Sequence, residues 1–206
     1  MAALLEISTN TFLITLAVGY LLGSIPFGLL LTRFTGRGDI QKIGSGNIGA
    51  TNVLRSGSKL LAFLTLLLDG AKGALAIAIG QAIDPAAGVI GGGAAILGHL
   101  FPVWLRFHGG KGVSTTLGVL LMLSPMVGVL ACAVWLLIAF LFRYSSLAAL
   151  VAIGTAPISS FIFEDLQLAV FAIVAAAFVF LHHHENIYRL IRGIEPKIGA
   201  ASHSDS

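Results

Sequence analysis

The sequence predicts an all-α integral membrane protein, one domain over residues 1–206 with seven transmembrane helices, its N-terminus outside and its C-terminus cytoplasmic. Three observations carry this. The chain is 57% hydrophobic and only 10% charged, whereas soluble domains average about 25% charged residues. Its mean hydropathy is +0.97, and apolar segments of membrane-crossing length recur at roughly 11–33, 59–82, 86–106, 112–124, 125–142, 145–163 and 166–184. The basic residues fall on one side of those segments.

The first segment, 11–33, has no Lys or Arg before it and polar loop chemistry after it, which argues against a cleaved signal peptide. The second, 59–82, carries Asp69 and Lys72 near its middle, spaced for an intrahelical pair. Charges there are costly, so they pair structurally or meet a substrate. The third, 86–106, holds His99, for which packing or a hydrogen bond is the expected fate. The fourth and fifth run together and are punctuated by Ser124-Pro125, where proline disfavours helix at the preceding residue and a tight turn fits. The single cysteine, Cys132, lies in the fifth as a small core residue and has no intrachain disulfide partner. Segments 145–163 and 166–184 complete the set.

With seven spans, Arg33, Arg37, Lys42, Arg55, Lys59, Arg106, Lys111, Arg143, Arg189, Arg192 and Lys197 all fall on one side, and Lys72 lies within a span. The opposite side has Glu6, Asp84, Glu164 and Asp165 but no Lys or Arg. The positive-inside rule makes the loaded side cytoplasmic. The pI near 9.3 needs no nucleic acid, because basic residues at a membrane face attract anionic headgroups and could also serve an anionic substrate.

The larger polar segments share that side: 37–55, 107–116 and 182–199. In the first, Gly44, Gly46 and Gly49 permit close backbone approach, so that successive amides can form a concave anion site. Ser45, Asn47, Thr51 and Asn52 add neutral hydrogen-bonding groups, and Arg55 offers a forked contact to phosphate. An ordinary flexible loop is the competing reading. No Walker A pattern follows the glycines. In the second, Lys111 stands between Gly110 and Gly112 at the start of an apolar helix, with Ser114 and Thr115 in its first turn. That is an anion site or a merely topological lysine. In the third, His183 and Asn186 share a helical face if the last span continues. His182, His183, His184 and Glu185 point about 100° apart along a helix and cannot converge on one ion, so no metal is expected.

Together these segments resemble the bacterial acyl-phosphate:glycerol-3-phosphate acyltransferases, the PlsY family, over nearly the whole chain. The motifs are "GSIPFG" (23–28), "GSGNIGATNVLR" (44–55), "DGAKG" (69–73), "GHLFPVWLRFHGGKGVST" (98–115) and "HHENIYRLIRGIEPKIG" (183–199). Their order and spacing are more specific than any one of them. One departure is His184, where members often carry Arg or Lys.

The resemblance implies transfer of a fatty acyl group from acyl phosphate to the 1-hydroxyl of sn-glycerol 3-phosphate, giving 1-acylglycerol 3-phosphate (lysophosphatidic acid) and phosphate. That is the first acylation of phospholipid synthesis, at the bacterial cytoplasmic (inner) membrane. It implies no cofactor, no use of acyl-CoA or acyl carrier protein, and seven helices with the site at the cytoplasmic face. A monomer is expected. By resemblance Ser45 and Arg55 bind phosphate with help from Thr51, Lys111 holds a second phosphate, and His183 and Asn186 orient glycerol phosphate. His183 or a substrate phosphate oxygen is the base. Lys72 joins Gly44, Gly46, Asn47, Gly49, Asn52, Gly110, Gly112, Ser114 and Thr115 as expected substrate contacts. No nucleophilic elbow is present, so direct attack by the glycerol hydroxyl is expected. The rival class is a transporter or channel for a phosphorylated anion, which would place polar groups near the midplane and show repeat symmetry.

The charge asymmetry makes a direct prediction. A cysteine at Ser58, in a Cys132→Ala background, should resist impermeant thiol reagents in intact cells and react once the membrane is opened. Labelling from outside would reverse the orientation.

Overall fold

The structure is a computed structural model, described over residues 7–199. Ten α-helices occur among those residues. Helix α1 (Thr9–Gly23) starts where the Ser8 hydroxyl accepts from the Thr11 amide, and ends before Pro26; α2 (Phe27–Phe34) resumes after it. The others are α3 (Ala50–Arg55), α4 (Lys59–Ile83), α5 (Gly88–Leu100), α6 (Val113–Leu123), α7 (Pro125–Phe142), α8 (Ser145–Phe163), α9 (Leu166–His182) and α10 (His184–Ile191).

Five segments are long and apolar enough to cross a membrane: Thr9–Phe34, Lys59–Ile83, Pro85–Leu105, Pro125–Phe142 and Ser145–Phe163. A sixth is counted if α9 and α10, bent by 66°, form one span. The expected fourth span is the shortest of the seven. It folds as eleven residues, Val113–Leu123, about 16 Å long against a hydrocarbon core of about 30 Å. Gly112, at φ +81°, starts it. Ser124 then caps α7, with Pro125 in its first turn as the sequence predicts.

Size sorting runs opposite to that of a soluble core. Ala94, Ala95, Ala148, Ala152 and Ala172 are buried, while Phe140, Phe161, Ile162 and Leu181 face outward. Lipid is as apolar as leucine, so helices associate through close backbone approach instead. Helix α1 packs on α5, α4 on α6, and α8 on α7 and α9. A Cβ on Gly23 would sit 2.1 Å from the Ala95 carbonyl oxygen, and one on Gly118 2.0 Å from that of Gly70. The second seam matters most for the site, because it sets α4 beside the start of α6.

Candidate functional site

The loop before α3 is organised by one buried side chain. The Asn52 Nδ2 group reaches the carbonyls of Ile40 (2.8 Å), Ile43 (3.0 Å) and Asn47 (2.8 Å), and its Oδ1 accepts from the Ser45 amide at 3.2 Å. Gly44 and Gly46 take positive φ, +58° and +68°, to close the turn around it. The Gly46 amide is bound to the Ile43 carbonyl and the Gly49 amide to Asn47 Oδ1. This corrects two expectations. Asn52 serves as the loop's internal strut, and the Ser45, Gly46 and Gly49 amides are already spent within the loop, so no nest of free amides forms from them. The remaining donors are side chains. Ser45 and Thr51 are exposed at the surface of the loop, and Thr51 Oγ1 meets Ser145 Oγ at 2.8 Å. Arg55, at the end of α3, lies against Gly44, where a Cβ would come within 2.9 Å of its Cδ. It donates no hydrogen bond to a described residue.

Lys111 is placed by the loop between α5 and α6. The Gly109 and Gly110 amides donate to the carbonyls of Leu100 and His99 at 3.1 and 3.0 Å. Lys111 therefore stands just outside the helix that the sequence has it opening. Ser114, in the first turn of α6, faces the cavity. Thr115 does not. It is fully buried against Gly73, where its carbonyl oxygen would lie 2.6 Å from an added Cβ. Its expected substrate contact is corrected to helix packing.

The third element is the junction between α9 and α10. The last span does not continue straight as expected: the helix breaks at His183, which caps both sides. His183 Nδ1 faces the Val179 carbonyl at 2.7 Å, so Nδ1 carries the proton and Nε2 keeps its lone pair. The Nδ1 atoms of His182 and His184 likewise face backbone carbonyls, of Phe178 and Leu181. Asn186 sits one turn into α10 and accepts from Lys111 Nζ through Oδ1. Its Nδ2 donates to Glu195 Oε1 at 2.7 Å. Glu195 also accepts from Ser146 Oγ and Arg189 Nε, each at 2.7 Å.

These three elements close on one cavity of about 840 Å³. Gly44, Ser45, Asn47, Gly49, Thr51, Asn52 and Arg55 line it from the first loop; Lys111, Gly112 and Ser114 from the second; His183 and Asn186 from the third. Gly46, Gly110, Thr115 and Lys72 do not line it. Lys72 is buried, 2.8 Å from Asp69, and donates to the Ile25 carbonyl, so the pair is structural in this state. Leaving the cations, the walls turn apolar: Phe63, Leu66, Leu117, Trp135 and Leu136. Glu195 and Arg189 line the cavity without having been singled out from sequence, and so do Asp69, for which a substrate contact was one of two readings, and His99, expected to pack or hydrogen-bond. For Glu195 one signal existed: it is the sole acid between Arg189 and Lys197. Among the described residues no three His, Cys, Asp or Glu side chains are placed to hold a metal.

Burial sets the electrostatics. It pushes the Lys111 ammonium down to about 8, with Arg189 adding repulsion. Burial raises Glu195, but the bonds from Ser146, Asn186 and Arg189 outweigh it and hold the carboxyl below its ordinary value. The site thus combines two partly desolvated cations, a fixed carboxylate and an imidazole whose Nδ1 is committed to the Val179 carbonyl. That set suits phosphate binding and transfer of a group from a phosphate.

Residues 13–193 match the family model described as glycerol-3-phosphate acyltransferase. A glycerol-3-phosphate acyltransferase of Mesorhizobium japonicum is 56% identical over 192 residues, covering 93% of this chain and 98% of the relative. One from a Jannaschia species is 50% identical, covering 98% and 100%. Among solved structures, PlsY, an integral membrane glycerol 3-phosphate acyltransferase, matches in its glycerol 3-phosphate form with a TM-score of 0.86 and 38% identity, over 91% of this chain and 96% of that one. Its lysophosphatidic acid form matches at 0.84, also with 38% identity, over 91% and 95%.

The lowered Lys111 value has a measurable consequence. The free ammonium is charged below pH about 8 and neutral above it. Affinity for inorganic phosphate, followed by calorimetry, should therefore hold up to that pH and then fall by up to about tenfold per unit. Lys111→Arg should remove this alkaline fall, because guanidinium stays charged. A flat profile in the unmodified protein between pH 7 and 9.5 would mean that Lys111 does not hold the anion.

Proposed function

The chain belongs to the glycerol-3-phosphate acyltransferase family, and on that basis we propose that its cavity transfers a fatty acyl group from acyl phosphate to the 1-hydroxyl of sn-glycerol 3-phosphate. The observation that carries this is the mixed lining of one cavity, where Lys111 and Arg55 stand with Phe63, Leu66, Leu117 and Trp135. The cations suit two phosphorylated head groups, and the apolar side chains suit one fatty chain. The related PlsY in its glycerol 3-phosphate and lysophosphatidic acid forms supports the same acceptor and product here. No observation favours a carrier or channel.

In this reading Arg55 and Ser45 hold one phosphate and Lys111 the other, with Asn186 surrendering part of its bond to Lys111 as the anion enters. The acceptor's 1-hydroxyl attacks the acyl carbonyl carbon. The new C–O ester bond forms and the acyl carbon–phosphate oxygen bond breaks. Inorganic phosphate leaves with its charge met by whichever of the two cations held the acyl phosphate. The hydroxyl proton passes to His183 Nε2 or to a phosphate oxygen. His183 offers Nε2 because its Nδ1 faces the Val179 carbonyl, and a phosphate monoester, titrating at about 6, can also take the proton. An acyl phosphate is already activated, so positioning and charge stabilisation supply most of the acceleration.

Seven membrane crossings, an outside N-terminus, a monomer and the bacterial inner membrane complete the proposal. Eleven of the twelve Lys and Arg residues then stand at one face, the same face that carries the cationic part of the cavity.

Lys111→Ala and Arg55→Ala should each lower kcat/KM by roughly ten- to a hundredfold, the worth of a charge-assisted hydrogen bond of about 1.5–3 kcal/mol. Arg55→Lys should also be impaired, since it keeps the charge but loses the fork. Exposed Lys42 is the control. Arg143 is unsuitable, because its Nη2 donates to the carbonyl of Ile198, which lines the cavity. If both alanine variants match Lys42→Ala, the phosphate roles are wrong.

Donor choice provides a second test. Purified protein should turn over acyl phosphate and not acyl-CoA or acyl carrier protein, because the short loops around the cavity offer no evident surface for a nucleotide or a carrier protein. Comparable rates with acyl-CoA would remove that part of the proposal.

A further inference from the structure

His99 lies outside the roles given so far, yet it touches the backbone that places Lys111. It sits at the end of α5, 4% exposed. On one side its Nδ1 faces Asp69 Oδ1 at 3.8 Å, and Asp69 is 2.8 Å from Lys72. Lys72 in turn donates to the Ile25 carbonyl at 2.8 Å, tying the cluster to the break between α1 and α2. On the other side the ring abuts Gly110. A Cβ at Gly110 would lie 2.0 Å from His99 Nε2, 2.8 Å from Cε1 and 2.9 Å from Cδ2. The imidazole edge therefore occupies the space that a side chain at Gly110 would need.

The backbone reinforces the contact. The Gly110 amide donates to the carbonyl of His99 itself, and the Gly109 amide to that of Leu100. Two residues after His99, the Phe101 ring packs edge-on against His182 at 5.0 Å between centroids, and the Phe101 carbonyl accepts from Tyr20 at 2.7 Å. The stretch His99–Phe101 thus lies between a buried ion pair and the loops that carry Lys111 and His183.

We infer that His99 is a positioning residue: packed between the Asp69–Lys72 pair and the loop, its ring seats Gly110 and so sets where the next residue, Lys111, presents its ammonium. A flexible lysine is a poor electrostatic anchor unless its backbone is fixed, and small displacements of a reacting geometry cost large factors in rate. The glycine at 110 and the histidine at 99 form one steric unit, which explains why Gly110 flanks the lysine without lining the cavity. The inference rests on the proposed phosphate role of Lys111.

A mutant cycle tests it, with thermal melting of each variant as the folding control. His99→Ala should lower kcat/KM by about tenfold in the unmodified protein and by less than about twofold in a Lys111→Ala background, because the group it positions is gone. Gly110→Ala should be at least as damaging alone, since its methyl meets the ring. In the His99→Ala background it should add little, because the ring has been removed. Equal costs of His99→Ala with and without Lys111 would overturn positioning. So would a Gly110→Ala cost that is unchanged when the ring is absent. Should His99→Ala fail to fold, Gly110→Ala against Lys111→Ala forms the same cycle with the same readings. A silent Lys111→Ala is a different outcome: it overturns the phosphate role of Lys111 and the positioning inference with it.

Discussion

A lysine ammonium taken partly out of water beneath a membrane face must be compensated, and the rest of the site is arranged around that need. Lys111 has one neutral acceptor, Asn186 Oδ1. Asn186 is oriented by Glu195, whose carboxylate also gathers Ser146 and Arg189. The compensation is deliberately incomplete in a physical sense: the ion's charge is met directly by a dipole, and the carboxylate stands one residue further away. Burial pushes the lysine down to about 8, and in the proposed role an incoming phosphate would restore what desolvation removed. A direct Lys111–Glu195 bond would have satisfied the lysine and competed with the anion.

That constraint explains the tail. A straight continuation of α9 would carry Asn186 further along the span axis. The 66° bend at His183 turns α10 across the cavity, so that Asn186 and Arg189 face inward while Tyr188 and Ile191 remain exposed. Ser146 reaches Glu195 from α8 and binds the returning tail to the bundle. Small-residue seams do the remaining positioning. Gly118 against Gly70 sets α6 on α4, and with it the height of Ser114 and Lys111 beside the first loop.

Much of this was legible in the sequence. Charge asymmetry and glycine-flanked cations located the polar end, and Arg55, Lys111, His183 and Asn186 do meet in one cavity. What was not legible has a common cause: it depends on contacts between residues far apart in the chain. Asn52 looks like a substrate ligand until its amide is seen spent on Ile40, Ile43 and Asn47. Thr115 looks like a first-turn ligand until α4 covers it. Glu195 reads as an ordinary tail acid until Ser146, from forty-odd residues earlier, is found on it. The bend at His183 has no proline or glycine to announce it.

The central claim is that Lys111 and Arg55 meet the head groups of both substrates in one cavity while the acyl chain occupies its apolar walls. A structure of the protein with glycerol 3-phosphate and a non-transferable acyl phosphonate tests it most directly. The predicted result puts Lys111 Nζ and the Arg55 guanidinium within hydrogen-bond distance of phosphorus-bound oxygens. The fatty chain should run past Phe63, Leu66 and Trp135, with the acceptor's 1-hydroxyl facing the acyl carbon. The phosphonate head bound elsewhere, with Lys111 still bonded only to Asn186, would contradict it.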